Sequence, residues 1–135
     1  MLIPMLVCTD PESEIEFCKA AFGATELSRR TAKDGHVIHA LLIIRQSMLM
    51  VHDVSAHLAS RAPGLDGSSP VVNYLYGDDT DSVIERAVAA GARVILPAED
   101  QFWGDRVGRI VDPAGHVWNI AARLSDAQNT KSVNA

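Results

Sequence analysis

The chain states the same plan twice. An apolar stretch, an acidic residue and an amphipathic segment closed by Gly-Ala run from Leu2 to Gly23-Ala24. The plan returns from Val71 through Asp78-Asp79 to Gly91-Ala92, with Ile84 standing 69 residues after Ile15. That separation is too long for a solenoid period and fits a duplicated strand–helix–strands module. Two such modules predict an α+β chain of two βαβββ units whose curved sheets form a cup, and the residues lining that cup decide the function.

Local signals fix the expected boundaries. Leu2–Cys8 reads as a strand near an edge, since it contains Pro4. Asp10-Pro11 supplies an N-cap followed by proline at the first helical position, and Ile15, Cys18 and Phe22 recur at helical spacing up to Gly23. Glu26–Ala32 and His36–Ile44 flank Asp34-Gly35 as a hairpin, and Met48–His52 is a further strand. The second module takes Val71–Tyr76, a helix over Asp79–Ala90, a strand over Arg93–Leu96, and a hairpin of Arg106–Val111 with His116–Ala121. One domain over 1–124 is expected, with modules at 1–53 and 70–124, a linker at 54–69 and a polar tail at 125–135. Within the linker, Ala56–Ser60 is compatible with a turn of helix.

Composition bounds the partners. A net charge of −5 without a Lys/Arg cluster argues against nucleic acid and anionic membrane surfaces. No apolar run reaches the ~18–20 residues of a membrane span, and the N-terminus lacks the basic and apolar stretches of a signal peptide, so cytoplasm is the expected location. Cys8 and Cys18 show no CxxC or Cys/His spacing and read as small buried hydrophobes.

The duplicated plan, the stretch Glu99-Asp100-Gln101-Phe102-Trp103-Gly104-Asp105-Arg106 and the hairpin Asp112-Pro113-Ala114-Gly115-His116-Val117-Trp118 resemble the glyoxalase/bleomycin-resistance/dioxygenase group. This is the vicinal oxygen chelate superfamily, and the resemblance is to its PhnB-like branch, from about Leu2 to about Arg123. It implies two strand positions per module facing a shared cup, which in enzymes of the group hold a divalent metal for Lewis-acid chemistry. Aligning the two copies carries these positions onto Met5, Met50, Tyr74 and Asn119. Thioethers suit soft copper rather than the harder ions of that group, so the metal is expected to be absent and no cofactor is predicted. A divalent ion would need atypical ligands.

Strand alternation then adds Tyr76 to the Tyr74 face and His52 to the Met50 face, a lining suited to a flat organic molecule. His39, mid-strand in an apolar run, is either a pocket contact or an ordinary hydrogen-bonded strand histidine. Trp103 and Arg106 either grip an aromatic or anionic ligand together or serve packing and ion pairing. His116 and Trp118 read as turn and core residues, and His36 and His57 as solvated. The function expected is binding of a small organic molecule through His39, Met5, Met50, His52, Tyr74, Tyr76, Trp103, Arg106 and Asn119, without the usual metal. The alternative is an enzyme of the same superfamily (lyase, isomerase or dioxygenase) using His39 and His52 at an atypical metal, or His39 and Tyr74 as metal-free acid and base. The resemblance also implies a homodimer, with each cup formed within one chain or across two.

Overall fold

Asp10 opens the first helix as its sequence asks. Its carboxylate accepts the Ser13 N–H, Pro11 occupies the first turn, and the left-handed Gly23 (φ 68°) closes the helix. In this computed structural model, which describes residues 1–56 and 59–124, the first module is β1 (Met5–Cys8), α1 (Pro11–Phe22), β2 (Thr25–Thr31), β3 (Val37–Ile44) and β4 (Ser47–Asp53). A short 3₁₀ turn, Val54–Ala56, follows. The second module is β5 (Val72–Tyr76), α2 (Thr80–Ala89), β6 (Arg93–Asp100), β7 (Asp105–Val111) and β8 (Val117–Arg123). His57 and the 125–135 tail lie outside the described residues.

Each module is one four-stranded mixed sheet, ordered β1-β4-β3-β2 and β5-β8-β7-β6. β1 runs parallel to β4 and β5 parallel to β8, while the other neighbours are antiparallel hairpins. A parallel pair needs a crossover, and α1 and α2 supply part of it on one face of their sheets. The two helices pack against each other, so a single core joins both modules on their helix sides. Ile15, Cys18 and Ala21 of α1 meet Leu42, Leu49 and Val51, and the Phe22 ring lies 4.7 Å from that of Trp118. The sheet faces away from the helices stay outside this core.

The sequence reading ends the β6 strand four residues early. Residues 97–100 continue β6 past Leu96, with irregular register between Val94 and Leu96 and again between Leu96 and Glu99. Those bulges accommodate Pro97, which cannot donate to a regular ladder. Among the described residues no helix is long and apolar enough to cross a membrane.

Candidate functional site

Alternation along each strand sends one set of side chains to the helices and the other to the open face. In the first module Leu6, Cys8, Leu49 and Val51 enter the core, leaving Met5, Met50 and His52 on the other side. Met5 is the register partner of Met50, and Tyr74 is the register partner of Asn119. The duplication is therefore preserved down to hydrogen-bonded register. The four positions stand as two pairs, one on each sheet.

His39 and His52 are cross-strand partners, their Nδ1 atoms 3.0 Å apart and their rings meeting edge to face at 5.2 Å. One Nδ1 must donate and the other accept, so this contact requires at least one neutral ring. Burial, then the neighbouring His52 and Arg30, holds His39 below the ordinary histidine value. His36 lies apart, at the β2–β3 turn, where it contacts Asp34 and Asp53.

The second sheet carries the denser constellation, centred on Asp105, a residue only 2% exposed. Its Oδ2 accepts the Tyr74 hydroxyl at 2.8 Å, the Tyr76 hydroxyl at 2.6 Å and the Trp103 Nε1–H at 3.2 Å. A buried carboxylate with three donors is electrostatically satisfied and holds three rings in place. The Arg123 guanidinium lies 4.8 Å from the centre of the Tyr76 ring. Tyr76 is pushed up to about 12, first by its bond to Asp105 and then by burial, and Tyr74 is also raised, chiefly by burial. Both phenols act as donors to Asp105, and His39 stands on the other sheet.

Beside this hub, β7 places Arg109 opposite Asn119, and its Nε donates to Asn119 Oδ1 at 2.7 Å. A cavity of about 250 Å³ opens here, walled by Leu96, Glu99, Trp103, Val107, Arg109 and Asn119. No described carboxylate pairs with Arg109.

The structure separates Trp103 from Arg106. Arg106 reaches the helix side, where Nε and Nη2 hold Asp81 of α2 at 2.7 and 3.2 Å and Nη1 holds Asp100 at 3.1 Å. Successive strand residues face opposite ways, so Arg106 cannot share the face of Asp105. The guanidinium near Trp103 belongs to Arg109. Sequence reading missed it, although drawing the β7–β8 hairpin outward from Asp112–His116 puts Arg109 beside Asn119. Asp105 gave no comparable signal, because its partners come from β5 and the preceding loop.

The metal positions implied by the resemblance are a poor fit for a hard cation. Met5 and Met50 offer thioethers, the Tyr74 hydroxyl is committed to Asp105, and Asn119 Oδ1 already accepts from Arg109.

Comparison with known proteins agrees with this architecture. Residues 3–120 match the Glyoxalase/Bleomycin resistance protein/Dioxygenase superfamily. The uncharacterized protein Rv0887c of Mycobacterium tuberculosis is 41% identical over 122 residues, spanning 88% of this chain and 72% of that protein. The crystal structure of TioX from Micromonospora sp. ML1 superposes with a TM-score of 0.73 at 28% identity, over 91% of this chain and 98% of that one. An Arabidopsis thaliana gene product, At5g48480, gives a TM-score of 0.69 at 28% identity, over 88% of this chain and 93% of that one.

Proposed function

Because this chain belongs to the Glyoxalase/Bleomycin resistance protein/Dioxygenase superfamily, we propose that it binds a small planar organic anion on the open face of its second sheet. The observation that carries this reading is Arg109, a guanidinium without a carboxylate partner among the described residues, in a cavity walled by the Trp103 side chain. A guanidinium offers a planar, permanently charged fork for a carboxylate, and an indole beside it offers a surface for a ring. Glu99 on the same wall suits a hydroxyl on that ring. We place the chain in the PhnB-like branch on the Phe102–Arg106 phrase and the Asp112–Trp118 turn.

The cavity's 250 Å³ falls below the ~300–1,000 Å³ usual for small-molecule sites. A second copy covering the open face would enlarge and enclose it, so the working form in this proposal is a homodimer. The reading is binding without catalysis, with the Tyr74 and Tyr76 hydroxyls engaged by Asp105 and the His39–His52 pair on the first sheet.

Titration calorimetry with benzoates and naphthoates, each paired with its neutral amide, tests the proposal. The acids should bind at least tenfold more tightly than the amides, about 1.4 kcal/mol. Arg109→Gln should erase that preference, and Trp103→Ala should weaken acids and amides alike. Equal binding of acid and amide, or no binding by any of them, would overturn it.

A further inference from the structure

A second polar cluster lies on the helix side, apart from the ligand cavity, where β1, α1 and the β7–β8 turn meet. Cys8, Glu14 and His116 each bring a potential donor atom there, all within 4.8 Å of one another. Cys8 and Glu14 are 0% exposed. Glu14 falls on the buried stripe of α1 with Ile15, Cys18 and Ala21, so helical periodicity delivers a carboxyl to the core where an apolar side chain is expected. Both of its oxygens are buried, and their hydrogen-bond contact is with the Asp112 carboxyl, a contact that two acids can share only through a proton or a cation. Such burial costs several kcal/mol unless a partner is supplied.

The surroundings favour a cation. Asp112 lies beside Glu14, its own carboxylate held by the Ala114 and His116 N–H groups and by Trp118 Nε1–H at 2.8 Å. Neither Glu14 nor Asp112 has a Lys or Arg partner among the described residues. The His116 ring is oriented by Nε2, 2.9 Å from the Val7 carbonyl. That carbonyl can only accept, so Nε2 carries a hydrogen, and a neutral ring held this way offers Nδ1 to an ion, the arrangement by which ligating imidazoles are commonly held. His116 also borders a groove with Pro4–Val7 and the 61–71 linker, which gives an ion a route from solvent.

We propose that Cys8, Glu14 and His116 form a structural divalent-metal site of zinc type joining the two modules. A thiolate, an imidazole and a carboxylate are a borderline-soft donor set, unlike the all-oxygen shells of calcium and magnesium. Donor atoms on a tetrahedral zinc lie about 3.3–3.8 Å apart given its bond lengths, so the three must close by about 1 Å. With Cys8 on β1, Glu14 on α1 and His116 in the β7–β8 turn, the ion would tie the first module to the second. It shares no residue with the Arg109 cavity and stands independently of the ligand proposed there.

The test is Co(II) and Zn(II) added to chelator-stripped full-length protein, followed by calorimetry and by the cobalt spectrum. One equivalent per chain should bind, with a near-ultraviolet thiolate-to-cobalt charge-transfer band. Cys8→Ser should remove the band, and Glu14→Gln and His116→Gln should each weaken binding at least tenfold. Cys18→Ser and Asn119→Ala should leave both band and affinity unchanged, and circular dichroism establishes that each variant is folded. Failure of the wild-type chain to bind either ion would overturn the proposal. So would a band that survives Cys8→Ser, or binding that is lost with Asn119→Ala.

Discussion

Asp105 binds more of the open face together than any residue on it, and removing its carboxylate should show this. Three donors converge on Oδ2, and a hydrogen bond to a charged group contributes about 1.5–3 kcal/mol. The tyrosines are partly exposed and can recover water, which limits the loss, so Asp105→Ala should cost about 2 kcal/mol in urea unfolding. Tyr76→Phe removes one donor and should cost about 1 kcal/mol. Two histidines make opposite predictions that ring-resolved NMR titration can separate. His39 is held below the ordinary value of about 6.5, so its contribution to stability is complete above that pH and falls as the pH drops through it. His36 is raised by its bond to Asp53 and then by Asp34, so its contribution is complete below about 6.5 and is lost as the pH rises through its folded value. A midpoint for His39 above that of His36 would contradict at least one of these assignments. These partnerships were only partly legible in the sequence. Alternation placed His39 and His52 on adjoining strands, but nothing in the order of residues brings Tyr74, Tyr76 and Trp103 to one carboxylate.

Elements were more legible than contacts, because helices and strands follow from periodicity and turn chemistry that lie within a few residues. Asp10-Pro11, Gly23 and the apolar spacing between them define α1 in the sequence and in the structure alike. The 69-residue offset also carried through to the pairs Met5–Met50 and Tyr74–Asn119. What periodicity could not supply was strand length across an irregularity, which is why β6 extends beyond the expected Leu96 to Asp100. Two turns of the same geometry show how context sets an element's tolerance. Gly35 (φ 90°) and Gly115 (φ 94°) both close five-residue hairpin turns, with N–H bonds to Ala32 and Asp112 carbonyls. A Cβ at Gly35 would meet nothing within 4 Å, whereas at Gly115 it would lie 2.4 Å from the Gly64 carbonyl oxygen. Alanine at either position is strained by the positive φ, costing about 1 kcal/mol. Gly115→Ala must also displace linker backbone, which should add about 1–3 kcal/mol. Thermal unfolding of the two variants side by side reads the difference, and equal destabilisation would mean that the linker yields freely.

At the scale of the whole molecule, the helices face a shared core and the sheets leave their other faces uncovered. Tyr74, Tyr76, Trp103, Leu96 and Phe102 keep between 39% and 74% of their surface exposed on the second sheet and its adjoining loop. Scattered apolar residues are ordinary on a protein surface, but a cluster this aromatic, beside a cavity too small for most ligands, is the composition of an interface. On the first sheet Met5 is exposed and Met48 and Met50 are half-buried on the same face, and methionines adapt to irregular partners. Two copies related by a two-fold axis could cover both kinds of face at once, since a closed pair repeats the same contacts on each side. Sedimentation equilibrium of the wild-type chain should therefore return twice the monomer mass. Trp103→Glu, which places a charge in that contact while leaving the helix-side core untouched, should shift the mass toward the monomer with the circular dichroism unchanged. The same substitution should weaken naphthoate binding by more than tenfold, because it removes the indole wall and encloses the cavity less. A wild-type monomer at micromolar concentration would discard the dimer, and the Arg109 cavity would then have to hold its ligand with one face open to water.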